Sequence, residues 1–190
     1  MISRYKYALE NRLQPIARGM SRVNPNFLTL IGIIPQVAFF ILMQNHLYGW
    51  ALLALACSII DMLDGLVARA HNKVSAFGGF LDSIIDRLGD FFIIAGLYVG
   101  GLASLILSAI LLLAAFLTSY TRSRGNLPAI GLIERTERVA FIFLAVIIKA
   151  VFPTASISGF NLSEVLILIL AVLSVFTVCQ RVWYAYKHLA

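Results

Sequence analysis

Five aspartates, Asp61, Asp64, Asp82, Asp86 and Asp90, fall within thirty residues of a largely apolar stretch. A carboxylate inside a hydrophobic helical span costs about 3 kcal/mol on insertion scales, so it needs a partner or a wet cavity. Asp61 and Asp64 are three positions apart, and Asp82 and Asp86 are four apart. On helices each pair shares a face. If the two helices are antiparallel neighbours joined by a short connector, the four carboxylates converge in one pocket. Asp61 would lie roughly 12 Å along its helix from Arg69, a little below the membrane surface.

Four carboxylates at close range cannot all ionise without cations. Oxygen-only ligands favour hard divalent ions, Mg²⁺ or Mn²⁺. Zinc is not expected, because His46, His71 and His188 are scattered and no Cys-His spacing is present. Cys57 and Cys179 lie in apolar stretches, where cysteine serves as a small packing residue. Gly65 follows Asp64, and Gly78 and Gly79 precede Asp82. Small residues there permit close helix packing and also let a ligand approach the backbone.

The elements that must position these acids belong to a membrane. Of 190 residues 61% are hydrophobic and only 13% charged, and the mean hydropathy is +0.91. One small soluble core could not hide that surface. Six apolar stretches, near 27–43, 47–69, 79–99, 102–120, 139–152 and 162–184, predict six transmembrane helices. The expected fold class is all-α integral membrane, with a six-helix membrane domain over 24–190. In 1–23, Leu9, Leu13, Ile16, Ala17 and Met20 recur at helical spacing among arginines. That predicts an amphipathic helix on the membrane surface, kinked or broken at Pro15. No cleavable signal peptide is expected, since no apolar core precedes Phe27. Thirteen of the fifteen basic residues fall on one side of this plan. The positive-inside rule makes that side cytoplasmic. The expectation is a multi-pass protein of the cytoplasmic membrane, with both termini and the active site facing the cytoplasm. No nucleic-acid partner is expected.

The acids belong to a longer pattern: Asp61-Met-Leu-Asp64-Gly65-Leu-Val-Ala68-Arg69, eight residues, then Gly78-Gly-Phe-Leu-Asp82-Ser-Ile-Ile-Asp86. This resembles the signature of the CDP-alcohol phosphotransferase family at every defining position. The resemblance implies transfer of a phosphatidyl-type group from a CDP-linked lipid to an alcohol, with release of CMP. It implies two divalent ions held by Asp61, Asp64, Asp82 and Asp86, with Asp86 also the general base. Asp61, Gly65, Ala68, Arg69 and Gly78 would shape the nucleotide and diphosphate site. Pro25-Asn26-Phe-Leu-Thr29 resembles a short family motif that helps to hold the CDP end. Pro25 and Asn26 are equally suited to starting a helix. The resemblance also implies a homodimer.

Further stretches resemble the phosphatidylinositol-phosphate synthase branch of that family and its archaeal archaetidylinositol-phosphate counterparts. They are Pro15–Gly19, Ser119-Tyr120-Thr-Arg122-Ser-Arg124, Ile133-Glu134-Arg135-Thr-Glu137-Arg138 and Cys179-Gln180-Arg181. That likeness implies inositol 1-phosphate as acceptor, its phosphate held by Arg122, Arg135, Arg138 and Arg181. The branch commonly carries Lys where Arg122 stands. Arginine forks suit a phosphate chemically. The other reading gives these arginines to membrane topology and to Glu134–Arg138 pairing along a helix.

Two rival functions follow from the same residues. Glycerol 3-phosphate is an alternative acceptor with the same chemistry. Buried aspartates near a membrane surface also suit a cation or proton transporter. The one-sided distribution of the acids and the absence of inverted repeats count against that.

Overall fold

The computed structural model describes residues 14–15, 19, 24–58, 62–125, 130–154, 156–157 and 160–189, without the side chains of 62–64, 125, 157, 160 and 189. In chain order the elements are α1 (Pro25–Gln44), α2 (Tyr48–Cys57), α3 (Met62–Ala70), α4 (Ala76–Val99), α5 (Leu105–Gly125) and α6 (Arg135–Val151), then the two-residue strands β1 (Ser156–Ile157) and β2 (Phe160–Asn161), then α7 (Leu162–Leu189). The strands pair antiparallel, Ser156 opposite Asn161 and Ile157 opposite Phe160. A helix lies over each expected apolar stretch, and over the second α2 and α3 stand on either side of residues 59–61, which are outside the described residues. Of the surface helix expected over 1–23, only Gln14, Pro15 and Gly19 are described; each is helical and exposed. The rest of that expectation lies outside the described residues.

Three helices, Pro25–Gln44, Leu105–Arg124 and Leu162–His188, are long and apolar enough to cross a membrane. The others depart from that simple pattern for identifiable reasons. Helix α4 has 24 residues but carries Asp82, Asp86, Arg87 and Asp90. Helix α6 has 17 residues and α2 has ten. Leu30, Ile34, Leu105, Ile106, Leu113, Leu168, Val172 and Phe176 point outward. So much apolar side chain on the outside suits a hydrocarbon solvent, and the protein is a membrane protein.

Helix ends follow from local chemistry. Asn24 caps α1 by accepting from the Asn26 N–H at 3.0 Å, and Pro25 occupies the first turn, where its missing N–H costs nothing. Ser75 caps α4, its hydroxyl accepting from the Gly78 N–H at 3.0 Å. Glu134 and Glu137 form a reciprocal capping box on α6, Glu137 accepting from the Glu134 N–H at 3.2 Å. Between α3 and α4, Asn72 turns the chain at φ 53°, a left-handed conformation that asparagine tolerates.

Helices α1 and α4 pack along their length, and glycines on α4 permit the approach. A Cβ at Gly78 would stand 3.1 Å from Asn26 Oδ1, one at Gly89 3.3 Å from Gln36 Cγ, and one at Gly96 2.8 Å from Phe39 Cε1. Gly100 lies against Met43 in the same way. Both partners rise together in number, so α1 and α4 run parallel. Beyond this seam, α5 and α6 pack on α7, and α2 packs on α6. The shared core holds Phe39, Leu55, Ile94, Leu97, Ile142 and Leu170. Tyr48 donates to Gly100 O at 3.1 Å and so ties the α1–α2 turn to the end of α4.

Candidate active site

Asp82, Asp86 and Asp90 descend one face of α4 at four-residue intervals. Their surroundings differ. Asp82 and Asp86 are half-buried, whereas Asp90 is 4% exposed. The start of α6 supplies a guanidinium to each of the lower two. Arg135 Nη1 donates to Asp86 Oδ1. Arg138 Nη2 donates to Asp90 Oδ2 at 2.6 Å, and both residues of that pair are buried. Arg135 Nε stands 3.8 Å from Asp90 Oδ1, which joins the two pairs. The capping box at Glu134 fixes where α6 begins and therefore where both arginines sit.

The pairing of Arg138 with Asp90 corrects one sequence reading. Arg138 does not pair with Glu134 along the helix, because Glu134 caps α6 and also accepts from Arg181 Nη2 at 3.1 Å. Arg181 is 3% exposed. Its Nε donates to Ile130 O and its Nη1 to Thr118 O, each at 2.6 Å. Every guanidinium nitrogen of Arg181 thus has a protein acceptor, and the residue clasps α7 to α5 and to the chain before α6. Arg122 sits exposed in the last turn of α5. The structure therefore brings Arg135 and Arg138 to the acids, and sets Arg181 in a structural clasp.

At the other end of the α1–α4 seam, Asn24, Pro25, Asn26, Lys73 and Ser75 line a cavity of about 300 Å³. Thr29 is buried one turn further on, donating to Pro25 O at 3.1 Å. Gly78 borders Asn26 and Ser75. On α3, the Arg69 guanidinium lies back along the helix, its Nη1 3.5 Å from where a Cβ at Gly65 would stand. Ala68 is half-buried and Arg69 exposed.

Asp61 and the side chain of Asp64 lie outside the described residues. Among the described residues no three acid, histidine or cysteine side chains gather at one point. The donor set still fits a hard divalent ion. Asp82 and Asp86 offer oxygen ligands one turn apart on one face.

Sequence reasoning missed three groups. Asp90 was counted among the costly acids but given no role, although its four-residue spacing from Asp86 placed it on the same face. Glu134 was read as a helix-pair partner rather than a cap. Gln36 is a polar residue in the middle of an apolar run, and it is 1% exposed beside Gly89.

Comparison with known proteins bears on the chemistry of this arrangement. The sequence model of the CDP-alcohol phosphatidyltransferase family matches residues 22–179. An archaetidylinositol phosphate synthase of Pyrococcus horikoshii is 35% identical, over 100% of this chain and 98% of its own length. A crystal structure of Mycobacterium tuberculosis phosphatidylinositol phosphate synthase with CDP-DAG bound superposes with a TM-score of 0.74 at 29% identity, covering 91% of this chain and 92% of that one. The same enzyme in complex with manganese and citrate gives a TM-score of 0.73 at 29% identity, covering 91% and 88%.

Proposed function

The chain belongs to the CDP-alcohol phosphatidyltransferase family, and from that premise we propose that it transfers the phosphatidyl-type group of a CDP-linked lipid to inositol 1-phosphate, releasing CMP. The observation that carries the choice of acceptor is the meeting of Arg135 and Arg138 with Asp86 and Asp90. Two guanidiniums beside the proposed base are suited to hold an acceptor that already bears a phosphate. The names of the relatives agree, since the Pyrococcus and Mycobacterium proteins are both inositol phosphate lipid synthases.

Asp61, Asp64, Asp82 and Asp86 would hold the divalent ions, two in number and Mg²⁺ or Mn²⁺ in kind, whose charge would neutralise the diphosphate. A relative with manganese bound supports a divalent metal. Asp86 takes the proton of the acceptor hydroxyl. The freed oxygen bonds to the phosphorus that carries the lipid, and the bond from that phosphorus to CMP breaks, its electron pair leaving with CMP. Pro25, Asn26, Thr29, Gly65, Ala68, Arg69 and Gly78 shape the site for the CDP end. Arg135 and Arg138 orient the acceptor phosphate, with Arg122 at the edge of the pocket and Arg181 acting through its clasp on Glu134 at the start of α6. Six helical crossings, with α2 and α3 together making the second, put both termini and the site on the cytoplasmic side. Small residues on several helices suit a homodimer.

The test is CMP release by purified protein supplied with CDP-diacylglycerol or a CDP-linked diether lipid, Mg²⁺, and either inositol 1-phosphate or glycerol 3-phosphate. Inositol 1-phosphate is expected to be the preferred acceptor. Preference for glycerol 3-phosphate would reject the proposed acceptor while leaving the reaction class intact.

A further inference from the structure

Gln36 lies in the middle of α1, facing α4, and is 1% exposed. Among the described residues neither its Nε2 nor its Oε1 has a hydrogen-bond partner. Leaving a buried polar group unpaired costs about 1–3 kcal/mol, and nothing in the packing of an apolar seam requires an amide there. The neighbouring turns of the same face carry Gly32, Phe39 and Met43.

The location of the amide is specific. A Cβ at Gly89 would stand 3.5 Å from Gln36 Cδ and 3.5 Å from Arg135 Nη2. The amide and the guanidinium thus flank one point on α4, and the missing side chain at Gly89 eases the close approach of Gln36, whose Cγ would stand 3.3 Å from a Cβ there. Gly89 adjoins Asp90 in sequence and lies three residues beyond Asp86. Gln36 therefore borders the group of Asp86, Asp90, Arg135 and Arg138 from the α1 side.

We propose that Gln36 is a specificity-determining residue that reads a ring hydroxyl of a polyhydroxylated acceptor phosphate. This rests on the proposed acceptor reaction and deepens it. Guanidiniums only donate hydrogen bonds and carboxylates only accept them. A secondary hydroxyl does both, and an amide matches it by offering a donor and an acceptor together. A cyclitol phosphate held by its phosphate at Arg135 has hydroxyls extending around the ring to reach such a group. The shorter glycerol phosphate has fewer. A site built to bond a hydroxyl discriminates strongly against an acceptor lacking it, because the buried group is then left unpaired.

The experiment compares full-length wild-type protein with Gln36→Met, which keeps volume and removes the amide, in steady-state CMP release with inositol 1-phosphate and CDP-diacylglycerol. The expected result is a KM for inositol 1-phosphate raised about tenfold, the size of one net hydrogen bond, with the KM for CDP-diacylglycerol within about twofold. A purely structural Gln36 would move both or neither, and either outcome overturns the inference. Because the variant depends on correct folding, monodeoxy inositol 1-phosphates are also assayed on wild-type protein alone. One of them is expected to lose about tenfold in kcat/KM, and equal use of all of them would equally overturn the inference. Wild-type protein that ignores inositol 1-phosphate but uses glycerol 3-phosphate would reject the proposed acceptor itself, which is a distinguishable failure.

Discussion

Asp86 is the proposed general base, and its contact with Arg135 sharpens what its loss should do. Asp86→Asn keeps the shape of the side chain and its contact with Arg135 through the amide oxygen, but removes the base. The expected outcome is loss of CMP release by at least about a hundredfold with CDP-lipid binding retained, as checked by activity and by binding of the labelled lipid. Arg138 is a different case. Its guanidinium partners Asp90 in a buried pair, so Arg138→Ala leaves that buried carboxylate with only the longer 3.8 Å contact to Arg135. Thermal unfolding in detergent should show a loss of about 3–5 kcal/mol. The double variant Asp90→Asn/Arg138→Gln should lose much less than the sum of the single changes. The paired acids Asp82 and Asp86 were legible because helical spacing alone puts them on one face. The use of Arg138 was not legible, because it depends on where α6 docks against α4, a contact forty-eight residues distant in sequence. Arg181 was legible only as a cation. That it serves the backbone of Ile130 and the cap of α6 depends on packing among three separate segments.

The elements that hold these residues rest on glycine. Gly96→Val would force the Phe39 ring away from α4, since even a Cβ stands 2.8 Å from it. Overpacking of this kind costs about 1–3 kcal/mol, which a lowered Tm would report; an unchanged Tm would mean that the seam yields freely. Gly131 is constrained twice, by φ 133° and by Thr177 against its face. Thr177 also accepts from the Ile133 N–H at 3.1 Å, just before the cap of α6. Gly131→Ala should therefore lower both Tm and acceptor binding, because it disturbs the entry to the helix that carries Arg135 and Arg138. Apolar runs made the helices readable to within a few residues. The α1–α4 seam was hidden, because a glycine in an apolar helix is silent about which neighbour it admits.

Across the whole molecule, the proposed orientation rests on the one-sided distribution of the basic residues. A variant with Cys57 and Cys179 replaced by alanine and a single cysteine at Ala190 should react with a membrane-impermeant thiol reagent only in inverted vesicles. A single cysteine at Lys149 should react only in right-side-out vesicles. The opposite pattern would reverse the proposed orientation. The alternating six-span plan already implies that α1 and α4 run the same way, but it does not say that they pack against each other. That parallel course has an electrostatic consequence. The peptide dipoles of two parallel helices point the same way, so the positive ends of both emerge together, at Pro25 and Ala76. These ends flank the cavity lined by Asn24, Pro25, Asn26, Lys73 and Ser75. Each terminus favours a nearby anion by about 0.3–1 kcal/mol. The half-buried carboxylates Asp82 and Asp86 on α4 would otherwise repel an anion such as a diphosphate, and the backbone itself offers a positive approach from the side.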